Sequence, residues 1–428
     1  MLKKLHSVVL DKDKCIGCTD CIKRCPTEAI RVRDSKAVIT EERCIDCGMC
    51  IRVCRNQAKK ASTDRFDRIH YYEYKVAIVA PTLYSQFKNV YDPNLILTGV
   101  KRLGFDEVFE VAEAAEIISN YSNEIISANI TRKPVISSAC PAVVRLIQMR
   151  FPSLIPNLMP VISPMEATAR YARNYLSKQG MPKEKIGIFF ISPCAAKVTD
   201  TRNPSVVKES CVDGVISIKE IYVRLLSEIK KIKEPEILMT SSYQGISWAK
   251  IGGEGSNTKL DDYISVDGIE NVINVLERIE DNKAEVDFVE CLACINGCLG
   301  GPLAVEDAYV AVNNFDKVKK HINENCKLRD ISLYNKELSL DWEKPLKRIQ
   351  VHMLDNDKNK ALEKVELLEN IFETLPQIDC GSCGAPTCRA LAEDIVRGKA
   401  KIDDCIIMLR KEYNKIIQEN IPKYIKNI

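Results

Sequence analysis

The chain is poor in histidine and nearly without net charge. Only His6, His70, His321 and His352 occur in 428 residues, and none stands near a cysteine cluster in the chain. Mixed Cys/His zinc sites and haem attachment are therefore poor readings. Lys and Arg total 62 against 59 Asp and Glu, a formal charge of +3. That balance gives no electrostatic case for nucleic acid or for a membrane surface. No apolar stretch reaches membrane-spanning length and no signal-peptide pattern opens the chain. A P-loop, a convincing G-x-G-x-x-G and a flavin signature are also missing, so nothing obvious couples the chain to nucleotides. Cysteine, by contrast, is plentiful, at 19 residues. These fall in C-x-x-C clusters, which fit metal-bound thiolates in a reducing cytoplasm better than a disulfide framework. The length suggests about three domains.

The first block, residues 1–70, holds an internal repeat. Cys15, Cys18, Cys21 and Cys25 are echoed by Cys44, Cys47, Cys50 and Cys54, both copies reading C-x2-C-x2-C-x3-C. Only the first copy keeps the trailing proline, Pro26. Eight evenly repeated cysteines exceed what structural zinc needs. The block resembles a bacterial two-cluster ferredoxin, in which the fourth Cys of each run serves the other cluster. The resemblance implies one [4Fe–4S] cluster on Cys15, Cys18, Cys21 and Cys54, and a second on Cys44, Cys47, Cys50 and Cys25.

A charged connector leads to a second region, 75–345. Short apolar runs at 76–80, 134–136, 186–191 and 286–289 read as buried strands, with helices between them at 166–179 and 219–231. The alternation predicts α/β layering with parallel strands. Three cysteine phrases begin where three of these runs end: Ser137-Ser138-Ala139-Cys140-Pro141, Ser192-Pro193-Cys194-Ala195-Ala196-Lys197, and Glu290-Cys291-Leu292-Ala293-Cys294-Ile295-Asn296-Gly297-Cys298. Open α/β sheets place ligands at such strand ends. Thiolates this far apart in sequence converge only in a folded domain, and they favour iron–sulfur clusters.

Past a polar connector at 328–350, a third region spans 360–428. A helical stretch at 359–375 precedes Cys380, Cys383 and Cys388, with Cys405 beyond, in the spacing C-x2-C-x4-C-x16-C. The spacing could hold a further [4Fe–4S] cluster, with zinc as the alternative. It resembles the small terminal iron–sulfur domain of several electron-transfer proteins. The segment 389–401 reads as a helix, and the tail from Ile406 as a helix packed on this domain.

The three central phrases resemble the cluster-binding signatures of the [FeFe]-hydrogenases, which interconvert dihydrogen with protons and electrons. The resemblance covers nearly the whole chain. It implies an α/β hydrogenase catalytic domain binding the H-cluster, preceded by the two-cluster ferredoxin-like domain and followed by the C-terminal [4Fe–4S] domain. Cys140, Cys194, Cys294 and Cys298 match the ligands of the [4Fe–4S] half of the H-cluster. Cys298 matches the residue that also bridges to a two-iron subsite carrying carbon monoxide, cyanide and azadithiolate. Lys197 matches the lysine that pairs with cyanide. Ala80, Pro81 and Thr82 match the loop lining the cyanide wall, with Pro193 and Gly297 at the cofactor and Gly297, Gly300 and Gly301 allowing close backbone approach. Three accessory [4Fe–4S] clusters complete the set. The alternative reading of the central cysteines is as buried thiols. Cys211 and Cys326 read as structural, and Cys291 has no assigned partner.

Departures from the family pattern carry the functional reading. Ala139 stands where the common signature has the proton-shuttling cysteine, and a methyl group neither donates nor accepts a proton. Ser192 replaces a methionine beside the subsite and Met165 replaces a glutamine. The stretch Asn120-Tyr121-Ser122-Asn123-Glu124 aligns poorly with the usual proton channel. Glu290 matches the family's glutamate and suggests a relay through water and Cys291, with Glu254 a second candidate carboxylate. Altered surroundings around intact cluster ligands resemble the sensory branch of the family. The expectation is a slow, H2-sensing hydrogenase in the cytoplasm. It would pass electrons to a redox or signalling protein, depend on maturation proteins for its subsite, and form a homodimer by default. Two alternatives stand: a metabolic ferredoxin-linked hydrogenase or electron-transfer subunit, and an iron–sulfur assembly protein lacking the two-iron subsite.

Overall fold

The computed structural model describes residues 6–322, 338–351 and 353–420. Cys326, His352 and part of the connector expected at 328–350 lie outside the described residues. Contacts divide the chain into two units. The first comprises Met1–Val9, Ile45–Gly48 and Ala61–Ile349, and the second Leu10–Cys44, Met49–Lys60 and Gln350–Ile428. The strands in chain order are β1 (Val8–Leu10), β2 (Ile30–Arg33), β3 (Lys36–Ile39), β4 (Lys59–Ala61), β5 (Tyr74–Val79), β6 (Glu107–Glu110), β7 (Val135–Ile136), β8 (Ile186–Ser192), β9 (Gly214–Ser217), β10 (Tyr263–Asp267) and β11 (Phe288–Leu292).

The first unit is built on two parallel sheets, one in the order β6-β5-β8-β9 and the other β10-β11-β7. β8 is buried along its whole length, as a parallel strand covered on both faces must be. Alternate side chains divide between the faces. Val76, Ile78, Ile188 and Phe190 join a core that includes Tyr171, Ala172 and Leu176 of helix Pro164–Lys178. Ala77, Val79, Phe189 and Ile191 join another with Ile96, Leu97 and Val100 of helix Pro93–Arg102 and Ile221 and Leu225 of helix Ile218–Ile229. Caps start these helices: Asp92, Ser163 and Ser217 accept from Asn94, Glu166 and Glu220 amides, the last two close to the starts expected at 166 and 219. Proline occupies the first helical position at 93 and 164.

The expected strands form and run parallel. In the two parallel sheets three others, β6, β9 and β10, were not anticipated, nor was the division into two sheets, and no strand was read before residue 75, where β1 to β4 lie. β10 is half-buried throughout and carries no apolar run to mark it.

The second unit joins the ferredoxin-like segment to the C-terminal one. β2 and β3 form an antiparallel hairpin with Ile30 opposite Ile39. Against it lie helix Cys388–Val396 and the loop before it, and helix Lys358–Thr374 packs on helix Cys388–Val396. The Val32 amide donates to Gly384 O at 2.7 Å. Gly384 has φ +78° and no room for a side chain, since a Cβ would lie 2.0 Å from Val32 O. Arg31 and Arg33 both reach Asp394, at 2.7 and 2.6 Å, and Arg43 pairs with Glu393. Helix Ile406–Asn420 packs on this body at its start, through Ile407 and Met408. Leu409, Tyr413 and Ile416 are each at least half exposed, so the expected packing of the tail does not extend along the helix. Among the described residues no helix is long and apolar enough to cross a membrane.

Candidate active site

Four loops converge at the C-terminal ends of the parallel strands. Ala80, Pro81 and Thr82 follow β5; Cys140 follows β7; Pro193 and Cys194 follow β8; Cys294 and Cys298 follow β11. Cys140 and Cys194 are N-caps of helices Pro141–Arg150 and Ala195–Arg202. A thiolate there meets the positive end of a helix. The loops enclose a cavity of about 110 Å³. That volume suits a compact group.

The cavity wall contains Cys140, Cys194, Cys298, Lys197, Met165 and Ala139, together with Ala80, Pro81, Thr82, Pro193, Glu254 and Glu290. Most of the sequence-derived candidates therefore meet at one place. Ser192 is fully buried but outside the wall, and its hydroxyl accepts the Cys194 amide at 3.1 Å. Gly297 is not in the wall; it has φ +67°, and a Cβ there would lie 2.9 Å from Ala249 O and Ile251 N. Cys294 is not in the wall either, yet its charge, with those of Cys194 and Cys140, helps push the Cys298 thiol well up; burial is the larger cause. Cys194 is pushed up to about 11, first by burial and then by Cys140. Left alone these groups stay as neutral thiols near pH 7; a bound iron centre would displace their protons and offset the burial and mutual repulsion of the thiolates. Cys291 is buried and raised by burial, an inert position for a free thiol. Cys211 is raised to about 11 chiefly by burial.

Three buried polar atoms of the wall have no hydrogen-bond partner: Lys197 Nζ, Thr82 Oγ1 and Glu290 Oε1. The nearest carboxylate to Lys197 Nζ is Asp200, at 3.9 Å. An orphaned ammonium facing an otherwise apolar cavity fits an anionic ligand.

The two carboxylates share one corner. Glu254 Oε2 accepts from Ser137 Oγ at 2.5 Å, and Ser137 Oγ accepts the Ala139 amide at 3.2 Å. Glu290 Oε2 accepts from the Gly255 amide and from Ser265 Oγ, at 3.0 and 2.8 Å. Burial, then the charge of Glu290, pushes Glu254 up to about 8. Burial also raises Glu290, against the hydrogen bonds it accepts. The sequence offered only Gly-Gly-Glu-Gly around Glu254, and nothing marked Ser137 or Ser265. Of the Asn120–Glu124 stretch, Asn123 bonds Asn257 and Lys259 backbone while Glu124 is exposed.

In the second unit, Cys15, Cys18, Cys21 and Cys54 line one cavity. The amides of Ala37 and Ala58 point at the Cys15 and Cys54 sulfurs, 3.4 and 3.2 Å away. Such bonds tune cluster potentials. The Ala29 amide does the same for Cys25 at 3.2 Å. Cys25, Cys44 and Cys50 belong to the second unit and Cys47 to the first. Cys383, Cys388 and Cys405 share one small core, and the charges of Cys405 and Cys380 add to the burial that raises Cys383. Hydrogen bonds from Ser382 lower Cys380.

The description "Iron only hydrogenase large subunit, C-terminal domain" matches residues 73–253 and 223–302, more than half of the chain. The chain belongs to the iron-only hydrogenase large-subunit family. Residues 7–55 match a 4Fe-4S dicluster domain and 375–407 a putative Fe-S cluster domain, so this hydrogenase-family chain carries iron–sulfur modules on both sides. It is 24% identical to Iron hydrogenase 1 of Clostridium pasteurianum over 58% of its length and 50% of that protein's. It is 23% identical to a cytosolic Fe-S cluster assembly factor NAR1 homolog of Schizosaccharomyces japonicus, over 68% of this chain and 59% of that one. The chain thus spans about half the length of the curated relatives it matches. Among solved structures, a variant of the [FeFe]-hydrogenase HydA1 from Chlamydomonas reinhardtii superposes with a TM-score of 0.52 at 17% identity. It covers 65% of this chain and 95% of that one. The likeness is one of fold.

Proposed function

We propose that this chain is a slow, H2-sensing [FeFe]-hydrogenase. The observation that carries the reading is the cavity wall, where three thiols and an orphaned lysine face a compact space while Ala139 occupies the proton-relay position. Cys140, Cys194, Cys294 and Cys298 would hold the [4Fe–4S] half of the H-cluster, with Cys298 bridging to the two-iron subsite. When bound, the H-cluster supplies the heterolytic splitting or formation of H2 and takes up the electrons. Lys197 would pair with an anionic cyanide ligand, and the Ala80–Thr82 turn would close the wall around it. Pro193 and Met165 keep the space apolar and exclude water. Two clusters on the ferredoxin-like cysteines and one on Cys380, Cys383, Cys388 and Cys405 would carry electrons to a protein partner.

The proton needs a route that Ala139 cannot offer. Glu254 sits in the wall with a raised affinity for protons, so near neutral pH its carboxyl can hold one and release it. Glu290 stands beside it, and Ser265 on β10 links that carboxylate toward a half-buried position. Proton passage by Glu254 and Glu290 in place of a cysteine thiol accounts for slow turnover in a site otherwise equipped for the chemistry.

The NAR1-type relatives favour a second reading, an iron–sulfur assembly role without the two-iron subsite. Lys197 weighs against it, because its ammonium has only a long 3.9 Å ion pair with Asp200 and no hydrogen-bond acceptor among the described residues, which suits an anionic ligand that a cubane alone would not supply. Assay of matured protein decides. The hydrogenase reading expects slow H2 uptake that rises in Ala139→Cys. Matured protein inert in both forms would overturn it.

A further inference from the structure

Asp46 lies between two ferredoxin-type cysteines in the chain, next to Cys47, yet it is buried and bonds the helices that carry the central ligands. Its Oδ2 accepts from Arg145 Nη1 at 3.0 Å and from Thr199 Oγ1 at 2.8 Å. Arg145 sits on the helix that starts at Cys140, and Thr199 on the helix that starts at Cys194. Both ion-pair partners are buried, with side-chain exposures of 8% and 0%. Its Oδ1 accepts the Ser7 and Val8 amides at 2.9 and 3.2 Å. Ser7 Oγ lies 2.9 Å from both Asp46 Oδ1 and Ala195 O, and donates to one of them. Ala195 is the residue after Cys194.

The same short loop reaches the third signature. Gly48 has φ +74°, and a Cβ there would lie 2.4 Å from Pro302 Cγ, so its backbone rests directly on Pro302. Gly301, just before that proline, rests on Pro193 in turn, and the Leu303 amide donates to Pro193 O at 2.9 Å. Segment Ile45–Gly48 is therefore seated against all three cysteine-bearing segments of the central site.

We propose that Asp46 is a positioning residue for electron transfer. It holds the Cys47 loop against the Cys140 and Cys194 helices, and its charge, balanced by Arg145, sets the potential of the cluster to which Cys47 is assigned. The inference rests on the cluster assignment in the functional reading above, not on H2 turnover. A buried carboxylate beside a cluster opposes the extra electron, and the guanidinium paired with it relieves that opposition.

The test is a redox titration of the full chain, reconstituted anaerobically with iron and sulfide and followed by electron paramagnetic resonance. It needs no two-iron subsite, so loss of the hydrogenase reading leaves it intact. Asp46→Asn removes an anion and is expected to raise the midpoint of one accessory cluster. Arg145→Met removes the cation and is expected to lower the same midpoint. The double variant returns it toward the wild-type value. A tenfold change in the reduction equilibrium appears as a shift of about 59 mV for one electron. Should either charge variant fail to take up clusters, Thr199→Val keeps both charges, strips one donor from the carboxylate and is expected to lower the midpoint. Shifts of the same sign in the two charge variants, or unchanged midpoints, would overturn the proposal.

Discussion

Ser137 donates its hydroxyl proton to Glu254 Oε2 across 2.5 Å, two residues before the alanine that stands at the proton-relay position. The bond fixes one carboxyl oxygen and leaves the group in the cavity wall, next to Glu290. Burial and the neighbouring carboxylate let this carboxyl hold a proton near neutral pH.

Glu254→Gln should therefore slow H2 turnover of matured protein by about 100-fold, the lower end of what general acid–base groups contribute. The hydrogen bond from Ser137 survives to the amide oxygen, so clusters and fold should persist. Steady-state assays across pH check this, with the limb near 8 expected to vanish.

The same group makes stability depend on pH. Its folded value is raised from 4.5 to about 8. Below the ordinary value both folded and unfolded chains hold the proton, and the full stability is present. As pH rises from there through about 8, the unfolded chain releases the proton first and stability is lost. Thermal unfolding of reconstituted protein should show this loss in the wild type and a flatter profile in Glu254→Gln.

Lys197→Met replaces the orphaned ammonium with an apolar group of similar length. The [4Fe–4S] clusters should still assemble on the cysteines. Retention of the two-iron subsite should fall at least tenfold, because a charge-assisted contact of about 1.5–3 kcal/mol is gone. Iron analysis with infrared quantification of the bound carbonyls would check it.

In the second unit, Asp394→Asn strips two arginines of their shared carboxylate in a site only 8–27% exposed. A loss of about 3 kcal/mol is expected for breaking a buried pair from one side. Limited proteolysis should then release the segment around Cys388–Val396 earlier than in the wild type.

Much of the site was legible because cysteine spacing is chemistry written in sequence. The repeated runs to Cys54, the three central phrases and the terminal set announced themselves without any structural guide. The strongest strands, β5 and β8, were equally plain, since continuous burial demands continuous apolar residues. What escaped notice depends on contacts between distant residues. Asp46 reads as an ordinary spacer between cysteines until Arg145 and Thr199 are brought to it. Arg31 and Asp394, 363 residues apart, carry no local sign of their pairing. Ser137 stood in the first cysteine phrase with no sign of its bond to Glu254, and β10 lacked the apolar run that would have marked a strand and placed Ser265 beside Glu290. The tail showed the opposite failure, an apolar pattern at Leu409, Tyr413 and Ile416 that the fold leaves exposed.

Infrared spectroscopy of anaerobically matured protein, first under argon and then under H2, tests the central claim most directly. The account predicts carbon monoxide and cyanide bands that shift when H2 is admitted, with the cyanide bands altered in Lys197→Met. Matured protein with its cysteines loaded with iron but without such bands would contradict it.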